Sequence, residues 1–536
     1  MRKLFTTFCF FAILSNIQAI DAGDQVKMVL AKQKLFAGQY LGALNIYKEV
    51  LQKNPEDGTV LYYIGKCQFE LKRYDEATET LKKSIATKVD VKPEAHLLMG
   101  KIYLTEEKID EALSELNTYK TSASSKQALE EDVDLYINHC NNAKKLMAAP
   151  INVKIENMGT AINTKYADKT PCISADGKKL VFTSRRPETT DSPTDVEGDG
   201  SYFEDIYISN WDTINKKWTD AETVPGNVNT DAHDACTSIS PDGKQIYIYK
   251  NDVRDVESRG GDIFVSKVVS NKWKTPEPMG KPINTSYWEG GACISPDGKT
   301  LYFISERKGG FGHADIWMVT RISKTEWGNP VNLGAEVNSE FDEVGVFIAP
   351  DAKTLFFSSN GKGSMGSYDI FKTVYENGKW TKPVNIGYPI NTVSSDGPLV
   401  VSADEQTAYI ASDRKGGLGV SDIYKVDISN YGIFEKDGQK KTNSGLSILK
   451  GVIRDGHEGS GITAVDIQIV DETGAVAATT VTNENGEYFI TLKGGITYTL
   501  KVSKKGYKSA EDKVDLKTGK NDTYALEKQI MLTKEK

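Results

Sequence analysis

The chain has 536 residues, too many for one hydrophobic core, and its 39% hydrophobic and 26% charged residues are ordinary globular composition, so several folded domains are expected. The formal net charge of -8 gives no electrostatic footprint for nucleic acid or an anionic membrane surface, and neither is expected as a partner.

Residues 1–19 read as a cleaved signal peptide. Arg2 and Lys3 form a positive start, Leu4 to Leu14 an apolar stretch too short to span a bilayer, and Ile17-Gln18-Ala19 a cleavage site with a small last residue. Export to the periplasm follows as an expectation. Cys9 lacks the small-residue context that precedes a lipidated cysteine, so no lipoprotein is expected. Five cysteines remain beyond the signal, an odd number without Cys-x-x-Cys spacing. Cys172, Cys236 and Cys293 lie on strands leading into turns, where free cysteine serves as a small buried hydrophobe.

Residues 24–147 are helical and repetitive. Gly38-Gln39-Tyr40, Ala43 and Tyr47 recur 34 residues on as Lys72-Arg73-Tyr74, Ala77 and Leu81, and 35 residues further as Lys108, Ile109, Ala112 and Leu116. This resembles the tetratricopeptide repeat, an all-α solenoid in which small residues let paired helices cross closely, as Gly65 and Gly100 would here. The stretch from Ala128 to Met147, with Asp132, His139, Asn141 and Asn142 on its more polar side, reads as a solvating terminal cap. The first helix of each repeat lines the concave face of such a stack. Tyr62, Lys66, Phe69, Leu97 and Lys101 are therefore candidate partner contacts; the competing reading is that Phe69 and Leu97 pack against adjacent helices.

Residues 151–430 repeat one unit five times, at intervals of 53 to 66 residues. Each unit opens on Ile/Val-Asn-Thr/Ser, at Asn163, Asn229, Asn284, Asn338 and Asn391. A turn follows, as in Pro241-Asp242-Gly243-Lys244 and Pro296-Asp297-Gly298-Lys299, decayed to Ala403-Asp404-Glu405-Gln406 in the last unit. Then come an alternating run and a strand opening on Asp at positions 205, 262, 315, 369 and 422. Trp218, Trp273, Trp327 and Trp380 close four units, at a spacing that suits one four-stranded propeller blade. An orphan strand within Asn152 to Thr164 complements the short last unit, so a five-bladed WD40-like β-propeller, closed by its N-terminal strand, is expected.

Residues 431–448 read as a linker, rich in Gly, Lys and Asn from Asp437 to Ser447. Over residues 449–536, Val465, Ile467 and Ile469 alternate with polar residues, and Tyr488, Ile490 and Leu492 follow the Asn485-Gly486 turn. With Gly451 to Asp455, Thr482 to Phe489 and Lys505-Gly506-Tyr507, this stretch resembles the carboxypeptidase regulatory-like sandwich.

Catalytic constellations are thin. The chain has no Gly-x-Ser-x-Gly elbow, no His-Glu-x-x-His helix and no phosphate-binding Gly-x-x-x-x-Gly-Lys, and its five histidines are spread over three domains. A non-enzyme without a resident cofactor is expected. The five strand-opening aspartates recur in every unit, which points to bonds with nearby backbone N–H groups rather than to catalysis. The insertion from Arg185 to Glu204 breaks the repeat. Its Asp195, Glu197 and Asp199, followed by Gly200, are candidate calcium ligands, although position 12 of such a loop is Ile206 rather than Glu; a solvated acidic loop is the competing reading.

The order of helical repeats, Pro-Asp-Gly-Lys propeller and regulatory-like sandwich behind a signal peptide resembles the PorE-type periplasmic proteins of the type IX secretion and gliding machinery. The resemblance implies a periplasmic scaffold that binds protein components of the cell envelope, outer-membrane proteins among them. Relatives of that type usually end in an OmpA-like peptidoglycan-binding domain, whereas this sequence stops at Lys536, so envelope binding without a grip on the wall is expected. The alternative is a sensing propeller that takes a sugar or peptide in the periplasm.

Overall fold

The computed structural model describes residues 22–87, 92–196, 198–251, 261–269, 272–323, 326–434, 446–516 and 525–535. The signal segment, most of the expected linker and Glu197 lie outside the described residues. A helical N-terminal region is followed by a large β-rich region of many sheets. Among the described residues no helix is long and apolar enough to cross a membrane.

The chain falls into two compact units. The first takes in residues up to Ile102, Ser114–Glu130 and Asp195–Ser201; the second takes in Tyr103–Leu113, Glu131–Thr194 and everything from Tyr202.

The helices are α1 (Ala22–Phe36), α2 (Tyr40–Leu51), α3 (Gly58–Glu70), α4 (Tyr74–Ala86), α5 (Glu94–Thr105), α6 (Ile109–Ser122), α7 (Ser125–Glu130) and α8 (Val133–Met147). In the first unit α1 packs on α2, α2 on α3 and α3 on α4. Of the residues that recur in sequence, Ala43, Tyr47, Ala77, Leu81 and Leu116 are each 0% exposed. Asp57 caps α3, accepting from the backbone N–H of Thr59 and Val60 at 3.0 Å each. A Cβ on Gly65 would stand 2.7 Å from Leu81, so a bare backbone is what lets α3 and α4 cross there. The expected continuous cap is instead two helices, broken at Asp132, whose φ is 44°.

Between Lys154 and Asp427 the second unit holds five antiparallel sheets. Their inner strands are Asp168–Ile173, His233–Ile239, Glu289–Ile294, Glu343–Ile348 and Asp396–Val401. The second strands are Lys179–Ser184, Gln245–Asn251, Thr300–Ser305, Thr354–Ser359 and Thr407–Ser412, and the third are Asp205–Asp212, Asp262–Val269, Asp315–Thr320, Asp369–Glu376 and Asp422–Asp427. Two-residue outer strands finish the first four sheets. The fifth is finished by Lys154–Asn157, paired antiparallel with Asp422–Asp427. Each inner strand touches the next, and the fifth touches the first. A cavity of about 60 Å³ is lined by all five, chiefly by Ile, Val, Cys and Pro.

The turns between inner and second strands have one geometry. Gly177, Gly243 and Gly298 have φ of 65°, 68° and 70°, and Ala352 and Glu405, where the glycine is lost, keep 55° and 58°. Each turn aspartate accepts the backbone N–H two residues on, as Asp242 does from Lys244 at 3.1 Å.

The Asn-Thr motif is a clasp. Asn338 Oδ1 accepts the N–H of Ile316, and its Nδ2 donates to the Ile316 carbonyl at 3.0 Å, so it pairs with the backbone of the preceding third strand. Asn229, Asn284 and Asn391 do the same to Ile206, Ile263 and Ile370. Asn163 has no preceding unit in sequence. It pairs with Ile423 of the fifth sheet, 260 positions away, with both bonds at 2.8 Å. The following Thr or Ser gives its backbone N–H and its hydroxyl to the acid four positions on, as Thr392 does to Asp396 at 2.6 and 2.7 Å.

The C-terminal region is two facing sheets. One orders Glu487–Lys493, Leu446–Asp455 and Ala525–Leu532; the other orders Val476–Val481, Asp466–Val470, Thr497–Ser503 and Ala510–Asp515. Ile467, Ile469, Tyr488, Ile490, Leu492, Leu500 and Val502 meet in its core, as their alternation requires.

Candidate functional site

On the helical unit, the five candidate contacts divide by burial. Tyr62 is 6% and Leu97 1% exposed, which makes them packing residues. Lys66, Phe69 and Lys101 are half-buried. Tyr62, Lys66 and Phe69 lie on one face of α3, and Leu97 and Lys101 are one turn apart on α5. The partly open members of the set are thus Lys66 and Phe69 on α3 and Lys101 on α5.

The acidic insertion folds with the first unit. Asp195 Oδ1 accepts the N–H of Gly198 and Asp199 Oδ1 that of Ser201, each at 2.9 Å. The Gly198 carbonyl accepts the N–H of Leu41 at 2.8 Å, satisfying one of the donors left over in the first turn of α2, whose N-cap residue Gln39 makes no side-chain cap bond. Among the described residues no group of three or more His, Cys, Asp or Glu side chains gathers as metal ligands.

In the second unit, departures from the repeat are clearest in the fourth and first sheets. Four sheets carry a basic side chain against the buried acid of the inner strand: Arg186 with Asp168 at 2.6 Å, Lys250 with Asp234 at 2.6 Å, Arg307 with Glu289 at 3.4 Å and Arg414 with Asp396 at 3.0 Å. In the fourth sheet the matching position is Gly361. Among the described residues Glu343 there keeps only hydroxyl and backbone donors, from Ser339 and Ser359, and burial pushes its carboxyl up to about 7.

The loop that begins at Gly361 receives α8. His139, 2% exposed, bonds the Gly361 carbonyl through Nε2 at 3.1 Å. Asn142 Nδ2 donates to the carbonyls of Lys362 and Ser364 at 2.9 and 2.8 Å. The polar side of α8 expected to face solvent is therefore turned onto a loop. The corresponding loop of the fifth sheet reaches the turn between α5 and α6, where Lys415 Nζ donates to the Glu106 carbonyl at 2.8 Å.

In the first sheet the insertion removes what holds the strand-opening acid. Asp315, Asp369 and Asp422 each accept two loop N–H groups, from Phe311 and Gly312, from Met365 and Gly366, and from Leu418 and Gly419. An asparagine Nδ2, from Asn332, Asn385 and Asn157 respectively, adds a third bond. Asp205 has no such partner among the described residues. It lines a polar cavity of about 360 Å³ with Glu188, Tyr202 and Asp231, and burial, then Glu188, Asp234 and Asp231, push its carboxyl up to about 7.

At the other end of the strands, the turns hold the C-terminal sandwich. Lys244 of the second turn pairs with Glu487 at 2.9 Å, and Thr491 donates to the Pro296 carbonyl of the third turn at 2.6 Å. Lys450 approaches Asp176 of the first turn at 3.9 Å. The Pro-Asp-Gly repeat thus serves as a docking rail as well as a strand connector. Sequence reasoning missed both docking surfaces. Only the loop that receives α8 had a readable signal: Ser-x-Arg at 184–186, 305–307 and 412–414 becomes Ser-x-Gly at 359–361.

The family model of the tetratricopeptide repeat matches residues 35–102, and that of the carboxypeptidase regulatory-like domain matches residues 448–527. Both modules are present in the chain. No curated protein matches it. Among solved structures, the type III secretion chaperone SycD of Yersinia enterocolitica, in complex with a peptide of the translocator YopD, is 16% identical; the match covers 23% of this chain and 96% of SycD, with a TM-score of 0.22. The tetratricopeptide domain of P58(IPK) is 24% identical over 24% of this chain and 35% of that one, with a TM-score of 0.22. A prolyl endopeptidase is 12% identical over 67% of this chain and 48% of its own, with a TM-score of 0.30.

Proposed function

We propose that this chain is a non-enzymatic periplasmic scaffold, akin to the PorE-type proteins of type IX secretion and gliding, whose helical repeats capture a protein partner while its β-rich region acts as a rigid platform. The observation that carries this reading is the tetratricopeptide match over residues 35–102, with Lys66, Phe69 and Lys101 left partly open on α3 and α5. Repeats of this class work by presenting such faces to peptide segments. An acidic segment carrying an apolar residue suits two partly open lysines and an aromatic ring.

The platform we take to be a five-bladed propeller. Supporting it are the five four- or five-stranded sheets, the cyclic contact of their inner strands and the completion of the fifth sheet by Lys154–Asn157. Radial repetition of that kind leaves only short, protected sheet edges and gives stiffness without a ligand. The sandwich and α8 contact opposite ends of the strands of the repeat.

The test is crosslinking in the native host followed by mass spectrometry, on wild type and on Lys66→Glu/Lys101→Glu. Envelope proteins linked to α3 and α5 in the wild type and lost in the double variant support the reading. Crosslinks unchanged by the substitutions, or recovery of the protein from the cytoplasm, overturn it. Tyr62 is not a useful probe, because its burial makes any substitution a stability change.

A further inference from the structure

Cys172 and Cys236 sit on the inner strands of the first and second sheets, 64 positions apart, with their Sγ atoms 3.6 Å from each other. Both are buried, at 2% and 0% exposure, in the apolar cluster that joins those sheets, beside Val181, Val228 and Ile246. Their remaining polar contacts are weak: Cys172 Sγ lies 3.4 Å from the Thr170 carbonyl, and Cys236 Sγ lies 3.8 Å from that of Ser238. Cys293 belongs to the third inner strand, and its Sγ turns to the Ile294 carbonyl at 3.8 Å. Two thiols in van der Waals contact on different strands need to approach only about 1.5 Å more to reach the roughly 2.05 Å of a sulfur–sulfur bond.

We propose that Cys172 and Cys236 form a disulfide when the chain folds in an oxidising compartment, stapling the first sheet to the second. The export reading supplies only the compartment; the pairing rests on the geometry. The oxidant is a disulfide donor of that compartment, either a protein disulfide or a glutathione-type one. One cysteine thiolate attacks a donor sulfur, which forms a mixed disulfide and expels one donor thiolate. The second cysteine thiolate then attacks the protein sulfur, the new bond forms, and the second donor thiolate leaves. Two protein thiols become one disulfide, one donor disulfide becomes two thiols, and the two cysteine protons end on those thiols. Once the sheets have met, neither sulfur can reach a donor, so the exchange belongs to folding rather than to the finished structure.

The test refolds the fully reduced full-length chain in a glutathione redox buffer, alkylates it under denaturing conditions without reductant, and maps the cysteines by mass spectrometry. The expected map has a linked peptide pair carrying Cys172 and Cys236, with alkyl groups on Cys9, Cys67, Cys140 and Cys293. The oxidised chain should melt several degrees above the reduced one, and Cys236→Ser should lose both the link and the difference. Alkylation of both Cys172 and Cys236, or a bond from either to Cys293, overturns the proposal whether or not the variant folds. The same map on protein recovered from cells separates the two readings. A link formed on refolding but missing from protein that fractionates with the cytoplasm upholds the pairing and overturns export.

Discussion

Glu343 shows how one residue's environment departs from its repeat. Its counterparts Asp168, Asp234, Glu289 and Asp396 each have an Arg or Lys within 3.4 Å, and Glu343 has none among the described residues. Burial holds its carboxyl protonated up to about pH 7, against 4.5 for an ordinary glutamate. The folded state therefore binds more protons than the unfolded state between those values, so this group's contribution to stability is complete at low pH and is lost as pH rises through about 7. Asp205 and Asp369, pushed up to about 7 and about 8 mainly by burial, act with the same sign. Glu343→Gln keeps the shape without the titration. Its melting temperature should fall less than that of wild type from about pH 5 to pH 8, and parallel curves in differential scanning fluorimetry would contradict this account. The sequence carried half of this story. The repeated Asp and Asn positions were legible as structural because they recur, and for Asp315, Asp369 and Asp422 the expected backbone N–H partners are there. The pairing of a basic side chain with the acid four positions after each Asn-Thr step was not legible, because the two meet across strands.

At the scale of elements, α8 shows where periodicity misleads. A polar stripe at the end of a helical stack reads as solvating, yet His139 and Asn142 spend that polarity on the carbonyls of residues 361, 362 and 364. Hydrogen-bonding side chains suit solvent and a loop's carbonyls equally, so composition alone could not choose. Loss of the arginine at Gly361 coincides with this docking, and two substitutions separate cause from coincidence. Asn142→Ala removes two bonds and leaves two carbonyls without them, which should destabilise the second unit by about 1–2 kcal/mol and raise hydrogen exchange in α8. Gly361→Arg restores the side chain found in three of the other sheets. It should give Glu343 a cation, abolish its pH dependence and displace α8, seen as exchange in residues 133–147 rising while that of residues 343–359 does not. Stable protection of α8 in both variants would mean that other contacts hold it. A third expectation concerns the sandwich: Gly486, with φ of 76° and a would-be Cβ 2.5 Å from the Ile453 carbonyl, tolerates no side chain. Gly486→Ala should unfold the C-terminal sandwich at markedly lower denaturant than wild type, monitored by proteolysis near residues 446–535.

At the scale of the molecule the question is what holds the fifth sheet to the beginning of the chain. Five repeated units were readable because their motifs are local, and the orphan segment before the first turn pointed to the short last unit, with which it pairs; the Asn163 to Ile423 bonds within that junction, 260 positions apart, were not readable. Asn163 answers it with the same two backbone bonds that Asn338 makes to Ile316, and each asparagine also donates to another asparagine, Asn157 and Asn332 respectively. Asn163→Ala and Asn338→Ala therefore delete the same chemistry, each leaving a buried N–H and C=O unpaired, a loss of about 2–4 kcal/mol. They differ in what else ties the parts together. Asn338 joins segments 22 residues apart that the intervening chain already restrains, whereas Asn163 and the four residues of Lys154–Asn157 join segments more than 250 apart. Opening the distant junction releases far more conformational freedom than opening the near one. Asn163→Ala should accordingly raise hydrogen exchange over residues 154–157 and 422–427 together, while Asn338→Ala should leave both segments protected. Deleting residues 154–157 goes further, because it bares the edge of Asp422–Asp427, and an unpaired edge templates association between chains. Concentration-dependent oligomers of the deletion, absent from Asn338→Ala at equal loss of stability, would show that the N-terminal strand works as a closure rather than as one more strand.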